Sequence, residues 1–392
     1  MKEEKIGQSE GRCRGLDWGL VAAAVWALCG TGCAGHAPSA PSFPASSRAA
    51  LWGAEAIGQI RSAFYLPEQR LYGEEIGPGR GRPRPAFLWP SSVMLSALAA
   101  AARVDRQTYL LMLREYVDAL RTYRTQRNGI TGFDVWPAPK PTDRYYDDNA
   151  WIALALAETY NATQEQRDLE LTDEALRFAL SGEDAKLGGG IYWHEDRHDR
   201  KHAVSTAPAT CAALELFRAT GNRSYLATGK RLYAWTAAHL LDSDSLYADS
   251  IAVADGTIDH AKYTYNSAMM IRCACLLHAA TGESRYLLQA QATARAAEAY
   301  WVRPSDGAIR AESAMAGRLC EAFGFLRDED GDPHWALIAA RATKCLHDHC
   351  RDPNGWYTNR WDAQNVAALD PIRLIDQAAA ARAFWATARD RH

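Results

Sequence analysis

Thr220-Gly-Asn-Arg-Ser-Tyr-Leu226 and Thr281-Gly-Glu-Ser-Arg-Tyr-Leu287 are two versions of one seven-residue segment, set 61 positions apart. An Ala/Leu-rich run precedes each, and a second helical pattern opens near each Ser. The Gly ends one helix and the polar residues after it begin the next. Weaker echoes occur at 104–110 and 160–168. A period near sixty residues indicates an array of helical hairpins, none of which can bury its apolar face alone.

Working outward from these turns, the periodicity predicts helices over 50–66, 90–103, 107–126, 147–160, 164–180, 206–220, 223–241, 265–280, 284–299, 310–326, 332–350 and 371–389. The connections alternate in length. Short ones fall at Val104-Asp105, Asn161-Ala162, Gly221-Asn222, Gly282-Glu283 and 328–331, and long ones over 67–89, 127–146, 181–205, 242–264, 300–309 and 351–370. In an antiparallel array, alternate connections emerge at opposite ends, so all six long loops share one end, where function tends to gather. About twelve helices in six hairpins match an all-α fold, the closed (α/α)6 toroid.

The 392 residues are 48% hydrophobic and 23% charged, which supplies a core. A mean hydropathy of -0.32 excludes a polytopic membrane protein. The net charge of -3, from 44 basic and 47 acidic residues, gives no electrostatic reason to bind nucleic acid, and no nucleic-acid partner is expected. The single Arg80-Gly-Arg-Pro-Arg-Pro85 segment reads as a solvated loop.

Residues 1–33 read as a secretory signal: basic residues, a twelve-residue apolar run over 18–29, then Gly30-Thr-Gly-Cys33. The ending resembles a lipoprotein processing site, making Cys33 the expected lipid anchor and the only expected membrane attachment. An Ala/Pro/Ser-rich tether over 34–48 and a single folded domain over 49–392 follow. The protein is expected to be exported, to the periplasm, the cell surface or the medium, and to be a monomer. Beyond the leader, Cys211, Cys273, Cys275, Cys320, Cys345 and Cys350 permit disulfides without requiring them. No metal site is assigned to Cys345-Leu-His-Asp-His-Cys350, whose side chains spread around a helix. The loosely spaced His194, His198, His202 and His260 read as polar loop residues.

The long loops share a texture: Asn128-Gly-Ile-Thr-Gly-Phe-Asp-Val-Trp136, Leu187-Gly-Gly-Gly-Ile-Tyr-Trp193, Ser245-Leu-Tyr-Ala-Asp249, Asp306-Gly-Ala-Ile-Arg310 and Asn354-Gly-Trp-Tyr357. Glycine permits tight turns, and the residue after it is expected to aim at the mouth, giving a ring-lined cleft. The sharpest local feature is Arg144-Tyr-Tyr-Asp-Asp-Asn-Ala-Trp151, where a long loop meets the fourth helix. Adjacent carboxylates repel, which raises the pKa of one. An acid beside a carboxylate is what glycoside cleavage needs. The same pair also suits a helix N-terminus, where acids answer the dipole and cap free N–H groups, or a calcium ligand set.

Tyr146-Asp-Asp-Asn-Ala-Trp151 resembles the catalytic segment of glycoside hydrolase family 76, the endo-α-1,6-mannanases and related α-mannan enzymes. Gly188-Gly-Gly-Ile-Tyr-Trp193, Thr220-Gly, Leu246-Tyr-Ala-Asp249, Tyr263-Thr-Tyr-Asn266 and Thr281-Gly continue the resemblance in order. It implies an (α/α)6 toroid without a cofactor, with Asp147 as nucleophile and Asp148 as general acid/base of a retaining mechanism. It further implies that Asp249, Tyr265, Asn266 and Trp193 bind a polysaccharide or oligosaccharide, and Tyr146 and Trp136 are counted with them as substrate-binding residues. The sequence departs from the family's Lys-Asn-Ala segment at Lys201-His-Ala-Val-Ser-Thr206. An unsaturated-uronide hydrolase, a sugar 2-epimerase and a non-catalytic glycan-binding lipoprotein are the rival readings.

Overall fold

The repeated Thr-Gly turns are helix ends. Gly221 and Gly282 take the left-handed conformation, φ +70° and +71°, and donate their N–H groups to the Phe217 and His278 carbonyls at 2.7 Å. The Asn222 side chain then caps the next helix by accepting from the Ser224 N–H at 3.0 Å. The computed structural model describes residues 45–388 except residue 141. The expected signal over 1–33, its Cys33 and most of the 34–48 tether therefore lie outside the described residues.

Twelve α-helices are present among the described residues: α1 (Ala45–Phe64), α2 (Leu88–Val104), α3 (Arg106–Leu120), α4 (Tyr146–Thr163), α5 (Gln166–Ser181), α6 (Ala203–Thr220), α7 (Arg223–Leu240), α8 (Thr264–Thr281), α9 (Ser284–Trp301), α10 (Ser313–Asp330), α11 (Pro333–His349) and α12 (Leu374–Thr387). No described helix is long and apolar enough to cross a membrane. The first helix takes in Ala45–Arg48, which were expected in the tether. The even-numbered helices pack side by side into a ring, α2 on α4 and onward to α12, which returns to α2. Each of α3, α5, α7, α9 and α11 packs outside its short-turn partner, while α1 packs on α12. Five units are therefore continuous hairpins, and the sixth is assembled from the first and last helices. The architecture is the expected (α/α)6 toroid.

Burial follows the ring. The inner helix α4 is buried continuously from Asn149 to Ala157. The outer helix α5 buries one stripe, Leu169, Thr172, Ala175, Leu176 and Ala179, at helical spacing. The long loops are not purely irregular. Tyr192–His194, Arg197–His202, Ser250–Ala252 and Ile258–Asp259 form a four-stranded antiparallel sheet joining the α5–α6 and α7–α8 loops. Arg124–Arg127 pairs with Ile130–Phe133, so α3 ends six residues before the expected 126. Glu75–Ile76 pairs with Ile372–Arg373, tying the α1–α2 loop to the α11–α12 loop.

The shared loop texture has a structural cause that corrects one expectation. Phe133, Ile191, Tyr192, Tyr247, Ile309 and Tyr357 are all buried rather than aimed at the mouth. Polar side chains in the first turns of inner helices grip these anchors. Asn149 accepts from the Phe133 N–H at 2.7 Å and donates to the Phe133 and Tyr145 carbonyls at 2.8 Å. Thr206 accepts from the Ile191 N–H at 3.0 Å, and Ser267 from the Tyr247 N–H at 3.1 Å. Gln377 bonds both backbone groups of Tyr357 at 2.8 Å. Gly190 has a further reason: a Cβ there would meet the Trp235 ring at 2.4 Å, and the Trp235 indole N–H donates to the Leu187 carbonyl.

At the short-turn end, the ring encloses an ion cluster rather than hydrocarbon. Arg272 bonds Glu158 at 2.5 Å and Glu215 at 2.6 Å, while Arg382 bonds Glu158 at 2.8 Å and lies 2.6 Å from Glu321. Arg318 stacks over Trp151 at 4.7 Å. Arg272, Arg382, Glu158, Glu215 and Glu321 line a cavity of about 530 Å³. The six cysteines among the described residues are buried free thiols, with the Cys211 and Cys273 sulfurs 2.8 Å apart. Removing one member of a buried ion cluster leaves its partners uncompensated. Arg272→Met is therefore expected to lower unfolding free energy by about 3–5 kcal/mol, measured by urea denaturation.

Candidate active site

The Arg144-to-Trp151 segment is fixed on both sides of its aspartates. Arg144 is fully buried and clamps Glu195 with two bonds of 2.9 and 2.6 Å. It also donates to the carbonyls of Thr125, Ile130 and Arg127. One guanidinium thus ties the 124–133 hairpin to the α5–α6 loop. Asn149 holds the other side, as described above. Asp147 and Asp148 between them occupy the first turn of α4, at the long-loop end.

Their surroundings make the two carboxyls unlike. Burial pushes Asp147 up to about 6 despite a hydrogen bond from Trp193 and the nearby charge of His202. Its Oδ1 is shielded from solvent and has no hydrogen-bond partner. Burial, then the charges of Asp147 and Asp143, push Asp148 well above the carboxylate range. The pair therefore favours holding one proton, the arrangement needed to act as acid and carboxylate together.

Rings form a wall beside the pair. Trp193 is 37% exposed and meets Tyr145 edge-on at 5.1 Å. Tyr263 stacks on Tyr265 at 5.6 Å, and Tyr265 meets Trp151 edge-on at 6.3 Å. Burial, then the charges of Asp249 and Asp147, raise the Tyr265 phenol, which places that ring near both acids. Asp249 itself is held low: burial pushes it up, but His202, Ser250 and Asn266 outweigh that effect. Asn266 is fully buried and within reach of Asp249 without being aligned to it.

The structure thus gathers Asp147, Asp148, Trp193, Asp249, Tyr265 and Asn266 at one site. Two expected substrate-binding residues fall elsewhere. Tyr146 is a core residue, its ring buried 5.2 Å from Phe178 and directly under Gly182. A helix turns about 100° per residue, so the neighbour of Asp147 faces inward. Trp136 packs on Phe87 at 3.9 Å, beneath Arg84 and Lys140, and lines a separate groove with Glu68, Arg70 and Pro139.

His202, read from the sequence as a loop residue, belongs to the site. Its Nδ1 lies 3.5 Å from Asp249 Oδ2. The signal that could have found it is strand alternation after the glycine-rich loop. Lys201 turns inward, fully buried, to Asp184 at 2.8 Å and the Gly190 carbonyl at 2.9 Å, so residue 202 must face the opposite way. His194, by contrast, is fixed outside the pair: it accepts from the Asp196 N–H and bonds Asp143 at 2.8 Å.

Both aspartates titrate higher folded than unfolded, so their protonation favours the folded state. That stability is full below about pH 4 and is lost as pH rises through the folded values, about 6 for Asp147. The double variant Asp147→Asn/Asp148→Asn is expected to be more stable than the parent by about 1–3 kcal/mol at pH 7.5. Near pH 4 the difference should vanish, which urea unfolding at the two pH values checks.

Comparison with known proteins agrees with this geometry. Residues 61–332 match the sequence model of glycosyl hydrolase family 76. A solved α-mannanase of that family from Bacteroides thetaiotaomicron is 30% identical, with a TM-score of 0.82 over 87% of this chain and 95% of that one. An α-1,6-mannanase from Salegentibacter, solved as an inactive variant with two consecutive aspartates changed to asparagine and bound to α-1,6-mannotriose, has a TM-score of 0.74. It is 22% identical over 87% of this chain and 99% of that one. A mannan endo-1,6-alpha-mannosidase of Candida glabrata is 25% identical over 44% of this chain and 42% of its own length. A meiotically up-regulated protein of Schizosaccharomyces pombe is 26% identical over 34% of each. The chain thus matches well under half the length of these two curated relatives. With most of its length matched by the family's sequence model and its paired aspartates at the mouth of the toroid, the chain belongs to glycosyl hydrolase family 76.

Proposed function

We propose that the protein is an exported, monomeric glycoside hydrolase that cleaves α-1,6-linked mannan with retention of configuration. The observation that carries this reading is the aspartate pair, two adjacent half-buried carboxyls at an aromatic-walled mouth that favour holding a single proton. The leader-like residues 1–33 support export, and the α-mannanase relatives support the substrate.

The mechanism follows from the inequality of the two acids. Asp148 holds the shared proton because burial and the charge of Asp147 both oppose its ionisation. It gives that proton to the departing glycosidic oxygen. Asp147 ionises more readily, and its carboxylate attacks the anomeric carbon to form a covalent glycosyl ester. Asp148, now a carboxylate, takes a proton from water, and that water releases the sugar with a second inversion. Adjacent residues have Cα atoms about 3.8 Å apart, compatible with the roughly 5–5.5 Å carboxyl separation of retaining enzymes. Trp193 has two tasks: its indole N–H steadies Asp147, and its exposed face offers a sugar-stacking surface.

Linear α-1,6-mannan incubated with the protein should yield oligosaccharides whose newly formed reducing ends appear first as the α-anomer in proton NMR. Asp147→Ala and Asp148→Ala should each lose at least about a thousandfold in kcat/KM. Initial release of the β-anomer would overturn the retaining assignment. Sugar binding without turnover in the parent would make the protein a glycan-binding relative.

A further inference from the structure

His202 closes the strand Arg197–His202 and is the residue before the first turn of α6. Its backbone is pinned: the N–H donates to the Ile191 carbonyl at 3.0 Å, and the carbonyl accepts from Thr206 at 2.8 Å. Strand alternation turns its ring to the mouth. There the ring lies between Trp193, with ring centres 6.3 Å apart, and Asp249, 3.5 Å from its Nδ1. Both His202 and Asp249 side chains are 17% exposed, so the contact is screened far less than a surface ion pair.

The acids that interact with the imidazole come from two elements. Asp147 comes from α4, Asp249 from the α7–α8 loop, and Tyr265 from the first turn of α8 stands near both acids. On its own strand Arg200 is two residues away, but its guanidinium is tied to Ser250 Oγ at 2.9 Å and to the Ser250 and Thr257 carbonyls. Asp249 is thus the direct anchor of the ring and Asp147 the second acid that its charge reaches, while Arg197, on the same strand, lies over the Trp193 ring at 5.3 Å.

We propose that His202 is a positioning residue: anchored by Asp249, it favours the ionised form of Asp147 while leaving the proton on Asp148, and so assigns nucleophile and acid within a pair of identical side chains. The α4 dipole cannot make this distinction, because both aspartates sit in the same first turn. The Trp193 hydrogen bond favours the same member, so the two contacts reinforce each other. The charge of His202 bears on Asp147, whereas the charges bearing on Asp148 are the acids Asp147 and Asp143. The catalytic meaning of this assignment rests on the hydrolase reading; the charge arrangement does not need a substrate to be observed.

The test is a carbon-13 NMR titration of protein labelled at aspartate Cγ, with Asp147 assigned from the Asp147→Asn variant. In His202→Gln, and in His202→Asn as a second neutral replacement, the Asp147 midpoint should rise by about half a unit or more. His202→Arg, which keeps a cation, should return it towards the parent value. The acidic limb of kcat/KM on α-1,6-mannan should move with it, so that activity at pH 5 falls about three- to tenfold while activity at pH 8 changes less. An unchanged Asp147 midpoint in both folded neutral variants overturns the proposal, as does a shift that His202→Arg fails to reverse. A shifted midpoint in a protein that leaves mannan intact would support the charge assignment and overturn the hydrolase reading instead.

Discussion

Every inner helix of the ring runs the same way, and the rest of the molecule is arranged around that constraint. A hairpin array with one- or two-residue turns at one end must deliver all its inner N-termini to the other. Each N-terminus carries about half a positive charge from its unpaired N–H groups. Asp147 and Asp148 on α4 and Asp376 on α12 lie in these first turns. At the opposite end six C-termini gather, and Arg103, Arg218, His278 and Arg327 occupy last turns there. The polarity that favours carboxylates at the mouth favours these cations at the opposite end.

Parallel helices alone would leave the mouth loops loose. They are fastened by side chains that stand in for missing backbone partners: Asn149, Thr206, Ser267 and Gln377 bond main-chain groups of the loop running in front of them. An anchored apolar residue lies behind each grip. The site is thus built on short spans of loop held at both ends, with Arg144 adding a clamp across two loops. This rigidity lets Trp193 and His202 from one loop and Asp249 from another gather at Asp147.

The helical ring was legible because its turns are chemical punctuation: the Thr-Gly pairs at 220–221 and 281–282 end helices, and apolar spacing does the rest. The end of α3 was misplaced because Arg124–Arg127 has no strand pattern of its own. Its pairing depends on Asn128-Gly129, both at positive φ, a hairpin signal that a helical reading passes over. The aspartate pair was legible as a motif, whereas Tyr146 and Trp136 were not separable from true site residues by type alone. Which face a ring presents depends on helix phase and on neighbours such as Gly182 and Phe87. His202 was hidden for the converse reason. Histidine is ordinary in a loop, and only the pairing of two distant loops into one sheet brings it beside Asp249.

The sixth unit, made by α1 lying on α12, has a kinetic meaning. Five hairpins form from contacts close in sequence, which is entropically cheap and fast. A row of such hairpins would be an open solenoid, able to fray from either edge. Bringing α12 against both α1 and α2 closes a loop of roughly three hundred residues, and the cost of that closure grows only logarithmically with its length. Once made, the seam removes both edges, and the strand pairing of Glu75–Ile76 with Ile372–Arg373 locks it on the side of the active site. Closure therefore converts a set of locally formed pieces into one cooperative unit whose mouth cannot open one blade at a time.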